Sequence, residues 1–428
     1  MSIEMNPPIK RNRRISGLEQ FTEGQFIERS LSPTLTEVLS EYPAVMLLGP
    51  RQSGKTTLLL HELRGTFDYV SLDDLKMRRL ANYDPRRLLA EHPDPVIVDE
   101  VQHAPDLLSY IKLKIDAERH KRGRFILTGS QNLLLAGSVS ESLAGRVAIL
   151  ELLPLSRREI EGTPEAELPW EQNSPLKQKA RLSFRQLWDA FLTGGYPELV
   201  SVPGLDVTRW HSNYVRTYLE RDVRSIGHVG DLMQFQGFIE AVAARSGQLF
   251  NVGEVSRDLG ISAKTIKAWL SILEATYQVF IVRPHFENVG KRLVKMPKVY
   301  FADTGTLCFS TGLKDPDHAA DGPMGGAILE TAVLSELMKV LSRGGIRPRV
   351  YFWRTQSGEE VDFLVQINGQ FVPIEVKKSG TPTPRMGTQI RVFQRALGQK
   401  ARHGYVIHPG DLRISLGDGV TALPFADL

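Results

Sequence analysis

The chain has 428 residues, 42% of them hydrophobic and 24% charged, with a formal net charge of +4. That length exceeds one ordinary domain and the balance is that of a globular protein, so two to four packed units are expected. A single cysteine, Cys308, excludes an intrachain disulfide framework, and no apolar run could cross a bilayer, so a cytoplasmic protein without a membrane partner is expected.

Residues 1–42 read as a basic arm (Lys10, Arg11, Arg13, Arg14) followed by a helical stretch. The arm has no apolar segment behind its basic residues, so it does not read as a secretory signal. From 43 to 155 short β runs alternate with amphipathic segments: "AVMLLG", "FDYVSLDD", "PVIVDE", "RFILTGS" and "VAILELLPL". This alternation predicts an α/β unit with a parallel sheet covered by helices. Between the first strand and an apolar helix start lies "GPRQSGKTT": Gly49, Pro50, Arg51, Gln52, Ser53, Gly54, Lys55, Thr56 and Thr57. The pattern G-x-x-x-x-G-K-[ST] in a strand–loop–helix context predicts a phosphate cradle for ATP. Lys55 would reach the β- and γ-phosphates, and Thr56 would ligate Mg²⁺.

The apolar strand in "PVIVDEVQ" delivers Asp99 and Glu100 at its C-terminal end, where α/β sheets bind ligands. Asp99 would hold Mg²⁺, and Glu100 would orient and polarise the attacking water. The next strand, "RFILTGSQN", ends in Thr128 and Ser130; of these, Ser130 is the preferred group between the acidic strand and the γ-phosphate. Arg146 precedes the last strand and could serve its own nucleotide or a neighbouring subunit's, or lie on the surface.

Together, "GPRQSGKTT", "VIVDE", "FILTGS" and "LAGRV" resemble an AAA-type ATPase. The nearest likeness is to prokaryotic ATPases whose C-terminal half is a domain of unknown function. "GGYPE" (194–198), "YLERDV" (218–223), "KVYFADTG" (298–305) and "EVDFLV…IEVK" extend that likeness over nearly the whole chain. The resemblance implies a helical lid, placed at 156–230, with Arg157, Arg158 and Arg221 open as a second arginine sensor.

Residues 231–313 have the rhythm of a winged helix. A short helix ends at Gly260, Ser262 caps a second, and Ile266, Trp269, Leu270 and Leu273 follow the helical period. Lys264 and Lys267 lie on its other face, and Lys291, Arg292, Lys295 and Lys298 would form a basic wing. Nine basic residues against seven acidic ones are a small excess, so DNA contact and a packing role both stay open.

Residues 323–428 read as helix, strands, helix and strand, with an Asn368-Gly369 hairpin turn inside "GEEVDFLVQINGQFVPIEVKKSG". Asp362, Glu375 and Lys377 converge on one face of that hairpin. The order resembles the restriction-endonuclease-like fold defined by Asp…Glu-x-Lys. That resemblance implies Asp362 and Glu375 as metal ligands, Lys377 as catalytic lysine and Glu330 as auxiliary acid. The plainer reading is a solvated edge strand, opposed by the apolar neighbours Val361 and Phe363. The expectation is a four-part α/β protein that binds and hydrolyses ATP with Mg²⁺ and acts on DNA. The alternative is a nucleotide-dependent switch or scaffold for protein partners or further copies of itself, with an inactive nuclease-like domain.

Overall fold

The computed structural model describes residues 26–129, 143–171, 182–218, 232–285 and 296–428. A five-stranded parallel sheet forms first: β1 (Ala44–Leu48), β2 (Asp68–Ser71), β3 (Val96–Asp99), β4 (Phe125–Gly129) and β5 (Val147–Glu151). Their order is β2-β3-β4-β1-β5. Both faces are covered, so the strands are almost continuously apolar. Val45, Leu47, Ile97 and Ile126 pack with Leu58 and Leu59 of the helix Lys55–Glu62 and with Leu35 of the helix Ser32–Glu41. Ala44, Met46, Val98 and Leu127 face the other way, into the main core.

The second half is built on one mixed sheet. It contains β6 (Val279–Pro284), β7 (Lys298–Phe301), β8 (Val350–Arg354), β9 (Glu360–Ile367), β10 (Gln370–Val376), β11 (Gly404–His408), β12 (Ile414–Gly417) and β13 (Val420–Pro424). The order is β12-β13-β11-β10-β9-β8-β6-β7. Asn368 and Gly369 both take positive φ, 51° and 79°, as a two-residue hairpin turn requires, and β9 pairs with β10 antiparallel.

The helices Val252–Leu259 and Ala263–Ala275 follow the expected rhythm. Gly260 sits at φ 65°, and the Ser262 hydroxyl accepts from the Thr265 amide. Ile266, Trp269, Leu270 and Leu273 are buried. The β6–β7 hairpin that follows is not confined to a separate module, because β6 pairs in parallel with β8 through Arg283–Tyr351 and Pro284–Phe352. The segment expected to be a winged helix and the C-terminal segment therefore share one sheet. Lys298 departs from its expected place on a basic wing: it is buried, 4% exposed, and paired with carboxylates. Lys291, Arg292 and Lys295 lie outside the described residues.

The two halves interlock. The Arg157 amide donates to Glu336 Oε2 at 2.8 Å, the Gly195 amide to Asp303 Oδ1 at 2.7 Å, and the Tyr277 hydroxyl to Glu151 Oε1 at 3.3 Å. The Gly195 contact joins "GGYPE" to "FADTG". Asp303 also caps the helix Thr304–Ser310, and a Cβ at Gly194 would stand 2.5 Å from its carboxylate.

Candidate functional sites

The P-loop is shaped by its backbone. Gly49 takes φ +152° so close to the Leu152 carbonyl that a Cβ would come within 2.1 Å of it. Gly54, left-handed at φ 91°, caps the helix Lys55–Glu62, whose free N–H groups point into the loop. Lys55 is buried and donates to the Gly49 and Pro50 carbonyls at 2.9 and 2.7 Å. Ser53 is fully buried and its hydroxyl has no hydrogen-bond partner, an orphan that a phosphate oxygen would satisfy.

Asp99 collects three hydroxyl donors. Thr56 Oγ1 stands 3.0 Å and the Tyr69 hydroxyl 2.8 Å from Oδ2, while Thr128 donates to Oδ1. The sheet explains this. β4 lies between β1 and β3, and its pairing of Leu127 with Val98 sets Thr128 level with Asp99. Burial and the Asp99 charge push the Tyr69 phenol well above its ordinary pKa, so it remains a donor. Glu100 turns out of the strand at φ 57°. Its amide donates to Thr128 Oγ1 at 3.0 Å, and its carboxylate is held by Gln102. Thr56 and Asp99 thus present a compact oxygen set beside the phosphate cradle, of the kind that suits a hard divalent cation.

The candidate sensor and finger residues fall in different places. Thr128, the less favoured alternative, is the β4 side chain that reaches Asp99; Ser130 lies outside the described residues, as does Arg221. Arg146 corrects the idea that it could serve its own nucleotide. It precedes β5 at the end of the sheet opposite the P-loop, and its guanidinium binds Asp116 at 2.8 and 3.1 Å. Arg157 pairs with Glu161. Arg158 holds the Leu428 and Ala166 carbonyls.

Arg29 is the arginine that sequence reasoning missed. Buried at 6% exposure, it donates to the P-loop carbonyl of Ser53 at 2.8 Å, to the Leu153 carbonyl at 2.6 Å and to Glu159 at 3.1 Å. Glu159 also accepts from the Ser30 and Ser156 amides. A hydrogen-bonded route therefore runs from the P-loop through Arg29, Glu159 and the turn at 156–157 to Glu336. No motif marks Arg29; a lone arginine before a helix carries no signal.

A second polar cluster lies in the mixed sheet. The β9–β10 ladder ends at the pair Phe363–Ile374, one residue short of Asp362 and Glu375, and the Val376 amide donates to Asp362 Oδ2 at 2.8 Å. Lys377 Nζ meets Glu375 Oε1 at 2.5 Å. Glu330 arrives from the helix Gly325–Leu341, so the four expected residues do come together. A fifth group enters from β7. Lys298 Nζ stands 3.0 Å from Glu330, 2.6 Å from Glu360 and 3.9 Å from Asp362. The Tyr300 hydroxyl donates to Glu330 at 2.5 Å.

Burial, then the nearby Asp362 charge, pushes Glu330 up to about 7 and Glu375 up to about 8; burial raises Asp362 as well. Glu375 Oε2 is buried with no hydrogen-bond partner. Among the described residues no group of three or more His, Cys, Asp or Glu side chains is arranged to hold a metal ion. The expected nuclease residues stand in an ion-paired cluster, with Lys298 against Glu330 and Glu360 and Lys377 against Glu375.

The loop, the acidic strand and the parallel sheet define a P-loop ATPase domain of the AAA type. Residues 41–161 match the AAA domain family model. Residues 184–317 and 325–428 match two domains of unknown function, DUF8612 and DUF4143. The first of these spans the boundary expected between lid and winged helix. The chain belongs to the same family as the uncharacterized proteins Rv2008c of Mycobacterium tuberculosis and Mb2031c of Mycobacterium bovis. Each is 30% identical over 399 residues, covering 92% of this chain and 83% of the relative. Among solved structures, the Walker-type ATPase PABY2304 of Pyrococcus abyssi is similar at 16% identity with a TM-score of 0.41. The match covers 67% of this chain and 96% of that one. No helix among the described residues is long and apolar enough to cross a membrane.

Proposed function

We propose that the chain hydrolyses ATP with Mg²⁺ and that its nucleotide cycle serves a DNA-contacting C-terminal half. The observation that carries the hydrolytic part is Asp99 beside the P-loop, fixed by Thr56, Tyr69 and Thr128. Thr56 and Asp99 would hold Mg²⁺, which when bound neutralises charge on the phosphates. Lys55 leaves its loop carbonyls for the β- and γ-phosphates. Glu100 orients the attacking water and accepts its proton once Gln102 releases the carboxylate. Thr128, touching both the Asp99 carboxylate and the Glu100 amide, holds the two acids in register. Arg146, far from its own P-loop, would act on a neighbouring copy's nucleotide, which makes a homo-oligomer the working form.

For DNA, support comes from Lys264 and Lys267, both exposed on the second helix of the helix-turn-helix pair. The rival reading, a switch for protein partners with a silent nuclease-like domain, is favoured by Lys298 among the carboxylates. One assay addresses both: ATP turnover by the native chain and by Lys55→Ala, with and without duplex DNA. Abolished turnover in the variant and stimulation of the native chain by DNA support the proposal. Native turnover in Lys55→Ala sinks the hydrolytic assignment, and a flat response to DNA favours the rival.

A further inference from the structure

A divalent cation and a lysine ammonium compete for the same acceptors, and the cluster in the mixed sheet contains both the acceptors and the ammonium. Lys298 comes from β7, in a different part of the chain from the hairpin that carries Asp362 and Glu375. It contacts Glu330, Glu360 and Asp362, and its ammonium lies 5.6 Å from the centre of the Phe352 ring. A lysine buried this deeply is stable only because those carboxylates surround it. Arg354 binds the second oxygen of Glu360 at 3.1 Å, and Lys377 binds Glu375 at 2.5 Å. Four carboxylates are thus met by three cations of the chain itself.

One acceptor is left over. Glu375 Oε2 is buried and unpartnered, near Asp362 just past the end of the β9–β10 ladder. A buried carboxylate oxygen without a donor is costly, and no donor from the described residues meets it. It is therefore a ligand atom without a ligand, next to a carboxylate that Lys298 partly satisfies.

We propose that Lys298 is a built-in competitor for a divalent cation at Asp362 and Glu375, and so holds the nuclease-like site in a metal-poor state. The proposal rests on reading that carboxylate pair as a cation site. Removing the ammonium leaves Glu330, Glu360 and Asp362 short of positive charge and frees Asp362 for a divalent ion. Glu375 Oε2, buried and without a donor, then supplies a second ligand atom. The ion class that suits hard carboxylate oxygens is Mg²⁺ or Mn²⁺.

The test uses Mn²⁺ alone, on nucleotide-free full-length protein, with binding followed by calorimetry or by the free-ion electron paramagnetic resonance signal. Lys298→Met should bind Mn²⁺ at least about tenfold more tightly than the native chain, since removing one buried like charge is worth at least a pKa-unit-sized interaction. Adding Asp362→Asn should remove that gain, and Lys298→Arg should stay at the native level. Because Lys298→Met unpairs buried carboxylates, Lys298→Met/Glu360→Gln, which removes one charge of each sign, provides a second variant with the same expected gain. Unchanged or weaker Mn²⁺ affinity in both folded variants overturns the proposal and makes Lys298 a structural ion pair only. If Asp362→Asn nevertheless lowers Mn²⁺ binding by the native chain, the cation-site reading survives that failure. If neither Asp362→Asn nor Glu375→Gln alters Mn²⁺ binding in any background, the cation-site reading fails with it.

Discussion

Two buried lysines define the two polar sites, and they are held in opposite ways. Lys55 rests on neutral carbonyls of its own loop, at 2.9 and 2.7 Å. Lys298 rests on carboxylates, at 3.0 and 2.6 Å. Distances are alike; the charge of the acceptor is not. An ammonium–carboxylate pair adds the attraction of two opposite charges to the hydrogen bond, which an ammonium–carbonyl contact lacks, so the carboxylates hold Lys298 more firmly than those carbonyls hold Lys55. A lysine's availability is set by what already holds it. One site is poised to accept an anion, and the other already holds its ammonium with the chain's own carboxylates.

The largest expected effect lies on the poised side. Glu100→Gln should still bind ATP, measured with a fluorescent analogue, while phosphate release falls by about 10²–10⁴-fold. Asp99 and its hydroxyl donors are untouched, so loss of binding would show Glu100 to be structural and would break the contrast. Next comes the support of the loop. Arg29→Ala leaves Glu159 buried without its cation and should cost about 3–5 kcal/mol in urea unfolding. A loss no larger than that of a surface arginine would mean the P-loop does not depend on this strut.

The self-satisfied side predicts a pH signature. Glu375 at about 8 and Glu330 at about 7 stand above the ordinary 4.5 for a glutamate. Between those limits the folded chain keeps protons that the unfolded chain has released. The cluster's contribution to stability is then full below about 4.5 and is lost as pH rises toward 8. The urea midpoint at pH 5 should exceed the one expected from the rest of the chain, and Glu375→Gln should flatten the fall between pH 5 and pH 8. An identical pH slope in the variant would remove the buried proton from the account. The smallest effect is Tyr69→Phe, which deletes one of the three donors to Asp99 and should slow turnover by about three- to tenfold. A hundredfold loss would make Tyr69 part of the reaction rather than a support for Asp99.

Much of the P-loop site was legible because its parts are contiguous. Gly49 to Thr57 is a single stretch whose function is backbone shape, and glycine placement is visible in any sequence. The same holds for Asp99 and Glu100 at the end of an apolar strand, and for Asn368-Gly369, whose positive φ values follow from residue type. The C-terminal element order was legible as far as β11 by periodicity, but the short strands β12 and β13 were not.

Packing of those elements chose which polar side chains meet across them. Thr128 rather than a neighbour reaches Asp99 because β4 lies between β1 and β3 in that register. Lys298, expected on a basic wing, is instead seated against Glu330 and Glu360 because β6 joins β8 and closes the hairpin onto the C-terminal sheet. Arg29 finds Ser53 and Glu159 across 24 and 130 positions of chain. A local motif carries its geometry in consecutive φ and ψ preferences. The partner of a buried charge is chosen by strand adjacency and by the cost of leaving it unpaired, and neither is written in the spacing of residues along the chain.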